Sequence, residues 1–237
     1  MDLTPSGMAR WLHRLLDDVP AGEATQRAAL EAISGLGAPG RIVPVLRALG
    51  EDPASVAARS VQSYRHPLGF DKLELIGAAP RFILRLHIWW PGHPRGAEDV
   101  HNHRYAPASA ILHGGYEMQI FQPASRGVAM AEFREEYTVH EARWRLDPIG
   151  QTPLALTATS KLTSGDSYAL AADTLHRVTI APEATCVTLF LETAPIRSTT
   201  QIFTEVGSPF RPVTPKLPLG PGDYLQVLAK VLAVLES

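Results

Sequence analysis

Two histidines that flank a single residue, His101 and His103, are the pattern in this sequence with the clearest chemical use. Alternate residues of a β-strand point to the same face, so an extended segment 101–103 directs both imidazoles into one space. Imidazole is a ligand for iron, zinc, copper and nickel. The spacing therefore predicts two ligands of a transition-metal site, although an isolated pair of this kind also fits two surface or capping histidines.

A third ligand is predicted at His176. The segment 165–178 reads as a turn, a strand, a tight turn and then this histidine at the start of a further strand. Three protein ligands leave open coordination positions for a substrate and dioxygen. Tyr105 follows the histidine pair by two residues, so we expect it to face the same space and to position the substrate, with a buried aromatic residue whose hydroxyl is hydrogen-bonded as the alternative.

The elements that must position these side chains read mainly as short strands. From about residue 73, β-branched and aromatic residues alternate with turn residues, which is typical of a sandwich or barrel. Turns are predicted at Gln122-Pro123 and at Asp147-Pro148. The predicted strands are 82–90, 108–113, 116–121, 129–133, 136–139, 143–146, 157–162, 167–171, 176–180, 186–192 and 201–205.

Helices are predicted on both sides of the strands. Residues 1–62 read as a helical extension packed on a barrel of residues 63–206. Residues 207–237 read as a proline-rich connector followed by an amphipathic helix. We expect that helix to pack on the barrel or on the N-terminal helices, with a homodimer contact as the alternative.

Composition narrows the function. The formal net charge is −2, with basic residues scattered along the chain, which argues against nucleic-acid binding. A single cysteine excludes an intramolecular disulfide and fits a reducing cytoplasm. The sequence shows neither a signal-peptide pattern nor an apolar run long enough for a membrane span. We therefore expect a cytoplasmic protein.

The two histidine segments together resemble the paired motifs of the cupin superfamily. The resemblance implies a mainly β fold, a cupin-type β-barrel (a double-stranded β-helix or jelly roll), with N-terminal helices and a C-terminal helix added. Cupins often supply a glutamate four or five residues after the second histidine, where this chain has Pro107 and Ala108. The expected site therefore has three histidines, and the long interval between the motifs predicts an insertion at about 122–160.

A closer resemblance is to the cysteine dioxygenase (thiol dioxygenase) group. It rests on Tyr64-Arg65, on Trp90-Pro91-Gly92-His93 and on the 101–103 segment. The resemblance implies iron(II) on His101, His103 and His176, and a substrate carboxylate bound by Arg65. Tyr64 and Tyr105 are taken with it as catalytic and substrate-binding residues.

Three positions depart from the thiol dioxygenase pattern. Ala108 stands near the cysteine that some members cross-link to a tyrosine, and Phe190 and Glu192 stand near the later histidine and tyrosine. The metal site carries over, whereas a thiol substrate does not follow.

The sequence thus predicts a non-haem iron(II)-dependent cupin oxygenase that acts with dioxygen on a small, carboxylate-bearing molecule. Zinc, manganese or nickel are the alternative metals, and no organic cofactor is expected. Two other functions stay open. One is a metal-dependent isomerase, epimerase or lyase, and the other is a non-catalytic cupin that binds a small molecule.

Overall fold

The fold was analysed in a computed structural model that describes residues 2–92 and 98–237. The helices are α1 (Pro5–Leu16), α2 (Glu23–Leu36), α3 (Pro39–Glu51), α4 (Pro53–Ser60) and α5 (Pro221–Leu235). The strands are β1 (Tyr64–Arg65), β2 (Asp71–Ala78), β3 (Phe82–Trp89), β4 (Val100–His101), β5 (Pro107–His113), β6 (Gly115–Thr138), β7 (Arg143–Thr163), β8 (Ser167–Ala169), β9 (Leu175–Thr179), β10 (Cys186–Glu192), β11 (Thr200–Glu205) and β12 (Val213–Pro215).

Two six-stranded antiparallel sheets form the body of the protein. The first sheet has the order β1-β2-β3-β10-β5-β8, and the second has the order β11-β4-β9-β6-β7-β12. Neighbours such as β3 and β10 are distant in sequence, as expected where strands cross between the walls of a closed sandwich. The predicted mainly β, cupin-type barrel with N-terminal helices and a C-terminal helix is confirmed.

The first sheet is covered on both faces, and β3 shows how its sequence achieves this. Leu84, Leu86 and Ile88 are fully buried in one apolar core with residues of the helices. Arg85 and His87 have the opposite parity and line a cavity between the two sheets. The alternation therefore separates a structural face from a face that holds chemistry.

The helices form a layer on the outer face of the first sheet. Helix α2 contacts β5, β8 and β10, and α5 contacts α3 and α4. The buried Tyr224 of α5 donates a hydrogen bond from its hydroxyl to the carbonyl oxygen of Glu74 on β2, at 3.0 Å. None of the helices in the described ranges is long and apolar enough to cross a membrane.

The predicted insertion is the outer part of a long hairpin. Strands β6 and β7 pair from Gly115 with Thr163 to Thr138 with Arg143, so the turns predicted at Gln122-Pro123 and Asp147-Pro148 are wrong. Both prolines lie beside register shifts of the hairpin, where a missing N–H costs no regular ladder bond. A short 3-10 helix, Val139–Glu141, connects the two strands at the tip.

The leucines offer a matched test of this architecture. Leu86→Ala removes a fully buried side chain between the sheet and the helices, so we expect the free energy of unfolding to fall by about 2–5 kcal/mol. Leu156→Ala, at a position on β7 that is 51% exposed, should change it by less than about 0.5 kcal/mol. Urea denaturation measures both, and equal losses would contradict the assigned faces of the sheet.

Candidate metal centre

The structure brings together His101, His103 and His176. In the second sheet, His101 of β4 and His176 of β9 are direct cross-strand partners. His103 lies just past β4, where its backbone N–H donates to the carbonyl oxygen of Ala172 at 3.0 Å. One ligand nitrogen from each ring lies within 4.8 Å of the other two, a spacing that one metal ion can bridge.

Backbone carbonyls orient two of the rings. The Nδ1 of His101 lies 2.9 Å from the carbonyl oxygen of Asp99, and the Nδ1 of His176 lies 3.2 Å from that of Thr174. Because a carbonyl oxygen only accepts, each Nδ1 carries the proton and each Nε2 is free to bind a metal. The buried Nε2 of His103 has no hydrogen-bond partner in the described part of the chain.

Burial also fixes the protonation state of these rings. Desolvation lowers the pKa of His101 and lowers that of His103 well below the ordinary value, since an imidazolium is poorly solvated there. The pKa of His176 is lowered to about 3 by the same cause. Neutral imidazoles are the form that binds metals, so this donor set fits a divalent transition-metal ion.

Asn102 holds the segment between the two histidines. Its buried side chain donates from Nδ2 to Oε1 of Gln201 at 2.8 Å and accepts from the Gln201 backbone N–H at 2.8 Å. Gln201 donates in turn from Nε2 to Oε1 of Glu132 at 3.0 Å. The sequence analysis assigned no role to Asn102, because its partner lies 99 residues away.

A cavity of about 300 Å³ opens from the three histidines. Tyr64 and Tyr105, both predicted site residues, line it. Tyr105 stacks on His103 with ring centres 5.3 Å apart. The ring of Tyr105 therefore lies beside one of the three histidines, in the space where the sequence analysis expects it.

Arg65 is not brought to this cavity. Its side chain is 57% exposed, and its Nε donates to Oδ1 of the buried Asp71 at 3.0 Å. Arg65 is absent from the cavity wall, whereas its neighbour in the sheet, Lys72, lines it. The carboxylate-binding role predicted for Arg65 therefore has no geometric support, because Asp71 draws the guanidinium to the other side.

Lys72 is the cation that the sequence analysis missed. It pairs across the sheet with Tyr64 on one side and His87 on the other, which places it on the inner face. Its positive charge lowers the pKa of His101 and His103, after the larger effect of burial. A lysine at inward parity in an otherwise buried strand was the available signal.

Arg85, deeper in the cavity wall, is already neutralised. Its Nε donates to Oε1 of Glu192 at 2.8 Å, and its Nη1 donates to the carbonyl oxygen of Gln62 at 3.0 Å. A second carboxylate, Glu74, lies 3.7 Å away. Burial alone would lower the pKa of Arg85, but the negative charge of Glu192 raises it, so the guanidinium stays charged and paired.

The positions that departed from the thiol dioxygenase pattern have distinct places. Ala108 is fully buried in the core shared with the helices and faces away from the cavity. Phe190 lines the cavity and stacks on His87 at 4.3 Å, while Glu192 binds Arg85. His93, part of the predicted motif before the histidine pair, lies outside the described residues.

The outer end of the β6–β7 hairpin forms part of the cavity wall. Trp144 of β7 lies 5.4 Å from Tyr64 and 5.2 Å from Tyr137, measured between ring centres. Tyr137 and Trp144 both line the cavity, whereas His140 at the tip is exposed and does not. The hairpin thus supplies aromatic side chains to a site whose ligands come from other strands.

No family model and no curated protein matches the sequence. Among solved structures, hydroquinone 1,2-dioxygenase PnpCD is 12% identical over 51% of this chain and 61% of its own, with a TM-score of 0.32. Oxalate decarboxylase of Lactobacillus farciminis is 12% identical over 59% and 32%, with a TM-score of 0.36. A protein of unknown function with a cupin-like fold from Ralstonia eutropha JMP134 is 11% identical over 72% and 78%, with a TM-score of 0.33.

This chain spans less than two thirds of the dioxygenase and decarboxylase chains that it matches. At these identities and TM-scores, the matches assign neither an activity nor a substrate. None of the three is a thiol dioxygenase, so that resemblance stays a prediction.

The Asn102 contacts predict an effect on metal affinity. Asn102→Ala removes both bonds to Gln201, so zinc affinity should fall by about 10- to 100-fold, as for other residues that orient ligands. Asn102→Asp keeps the acceptor for the Gln201 N–H and should lose less. Competition with a chromophoric chelator measures both, with Gln151→Ala on the exposed part of β7 as the control. Unchanged affinity in Asn102→Ala would contradict the assigned role.

The buried histidines predict acid sensitivity of the metal-free protein. Burial lowers the pKa of His87 and His176, so the unfolded chain takes up protons near pH 6.5 while the folded chain does not. Stability should be complete above about pH 6.5 and fall as the pH drops towards 3. Urea midpoints between pH 7.5 and 4 measure this decline, which His87→Phe should make shallower. An unchanged slope in that variant would count against a neutral His87.

Proposed function

We propose that this protein is an iron(II)-dependent oxygenase with a three-histidine site that acts on a small, carboxylate-bearing molecule. The observation that carries the proposal is the convergence of three neutral imidazoles in the wall of a cavity that also holds Lys72, which has no close ion pair among the described residues. The donor set supports a resident metal. The resemblance to thiol dioxygenases supports iron and dioxygen, while zinc, manganese and nickel are the alternative metals.

The chain's own residues would divide the work as follows. His101, His103 and His176 would hold the metal, which when bound supplies the redox or Lewis-acid chemistry at its open positions. Lys72 would bind the substrate carboxylate, because its ammonium faces the same cavity. The hydroxyl of Tyr105 would donate a hydrogen bond to the substrate next to His103. The hairpin tip would limit water access at the mouth.

Glu98 favours a second candidate function, a metal-dependent isomerase, epimerase or lyase. It lines the cavity, and burial raises the pKa of its carboxyl group to about 7. A carboxyl group near neutrality can both accept and donate a proton, which such reactions require and which an oxygenase does not need. Its carboxylate is not part of the three-histidine group.

Oxygen consumption separates the two candidates. Tag-free protein loaded with iron(II) without oxygen should retain about one iron per chain after desalting, and should consume oxygen when a suitable small carboxylate is added. His101→Ala should lose the iron, because only two imidazoles remain. The matched control is His140→Ala, which changes an exposed histidine outside the cavity wall.

Three outcomes would contradict the oxygenase. Iron retention that is equal in His101→Ala and in the native chain would remove the metal site itself. Turnover of a carboxylate under nitrogen by zinc- or manganese-loaded protein, lost in Glu98→Gln, would favour the second candidate. Unchanged binding of the carboxylate after the metal is stripped, without turnover in either form, would indicate a non-catalytic binding protein.

A further inference from the structure

Aromatic side chains are concentrated in the cavity wall, although they make up only 7% of the chain. The lining includes five of the six tyrosines of the sequence, which are Tyr64, Tyr105, Tyr116, Tyr137 and Tyr168. The other aromatic residues of the wall are Phe70, Trp89, Trp144 and Phe190. Such a wall offers flat, rigid apolar surfaces to whatever it binds.

Two pairs of rings in this wall are stacked, with the two rings of each pair nearly parallel. Phe70 and Trp89 stack with centres 4.7 Å apart and an interplanar angle of 23°. His87 and Phe190 stack with centres 4.3 Å apart and an angle of 21°. Flat pairs of this kind complement a planar ligand better than a branched one, because ring faces stack on ring faces.

The ammonium of Lys72 lies near Phe70, one of the rings of these stacked pairs. Its Nζ is 5.4 Å from the ring centre of Phe70 and 5.8 Å from that of Tyr64. Within the described residues it makes neither an ion pair nor a hydrogen bond, in contrast to Arg85 with its two carboxylates. A half-buried ammonium in a small cavity, near the carboxyl groups of Glu98 and Glu135 but without a close ion pair, can bind an anion.

We propose that the cavity binds a benzoate-sized aromatic carboxylate, with its carboxylate on Lys72 and its ring against the Phe70–Trp89 and His87–Phe190 pairs. This deepens the proposed function by naming the substrate class of the same site, and its link to turnover rests on that function. A volume of about 300 Å³ holds one small molecule of this kind.

Arg104 and Lys216 are the other cations in the wall for which no ion pair is found among the described residues. Lys72 places its ammonium 5.4 Å from the ring centre of Phe70, in one of the stacked pairs, whereas Lys216 donates from Nζ to Oε1 of Gln62 at 3.2 Å and lies over Tyr64. The charge of Lys72 also acts on the carboxyl groups of Glu98 and Glu135, whose pKa is raised mainly by burial. The anion is assigned to Lys72 because of its place beside the stacked rings, and Arg104 and Lys216 serve as the competing hypotheses in the test.

Ligand binding can be tested without any turnover. Isothermal titration of zinc-loaded and of metal-free protein would use three probes, which are benzoate, benzamide and cyclohexanecarboxylate. Benzoate should bind most tightly in both forms. Benzamide, which lacks the charge, should bind about tenfold or more weakly. Cyclohexanecarboxylate, which lacks the flat ring, should also bind more weakly than benzoate.

Variants assign the charge preference to a residue. Lys72→Met should abolish the preference for benzoate over benzamide, and Lys72→Arg should restore it. Lys161→Met changes an exposed lysine of β7 and should leave the preference intact. Circular dichroism of each variant checks folding, and the comparison of probes in the native chain does not depend on any variant.

Four results would overturn the inference. Equal affinity for benzoate and benzamide in metal-free protein would remove the anion site, and equal affinity for cyclohexanecarboxylate would remove the aromatic requirement. A preference that disappears in Arg104→Gln or Lys216→Gln but survives in Lys72→Met would move the site to that residue. Benzoate binding without oxygen uptake would refute only the oxygenase, whereas oxygen uptake with aliphatic acids alone would refute only this inference.

Discussion

The first sheet is buried on both faces, and the placement of the chemical groups follows from that constraint. Leu84, Leu86 and Ile88 pack under the helices, so the alternating residues Arg85 and His87 must face the barrel interior. Moving a charged side chain out of water into that interior costs free energy. We therefore expect each charged residue there to form an ion pair or to bind a ligand. Arg85 is paired with Glu192 and Glu74, whereas Lys72 has no close ion pair among the described residues and can bind an anion.

The second sheet supplies the ligands under the same constraint. Burial keeps His101, His103 and His176 neutral, and backbone carbonyls or the Asn102–Gln201 contacts hold the segments that carry them. The metal would therefore contact neutral imidazoles. The substrate anion would contact an ammonium that has no close ion pair among the described residues, and the substrate ring would contact stacked aromatic side chains. Their juxtaposition depends on the two sheets closing over one small cavity.

The sequence was informative where a local rule applied. Strand parity and the later histidine segment predicted the three-histidine group, and turn spacing predicted a mainly β fold. The cavity-facing position predicted for Arg65 was wrong, because one step along the β1–β2 register separates Arg65 from the inward-facing Lys72. The guanidinium of Arg65 instead donates a hydrogen bond to Asp71. The prolines of the hairpin suggested turns where the strands only change register. The Asn102–Gln201 contact joins residues 99 apart, beyond any local pattern.

X-ray absorption spectroscopy of tag-free protein loaded with one equivalent of zinc tests directly whether the three histidines bind one metal ion. We predict a first shell that contains three imidazole nitrogens at about 2.0–2.1 Å, together with one or more oxygens at the open positions. The pattern should collapse to two imidazoles, or the metal should be lost, when His176 is replaced by alanine. A native first shell with fewer than three imidazoles, or one unchanged by that substitution, would contradict the three-histidine centre.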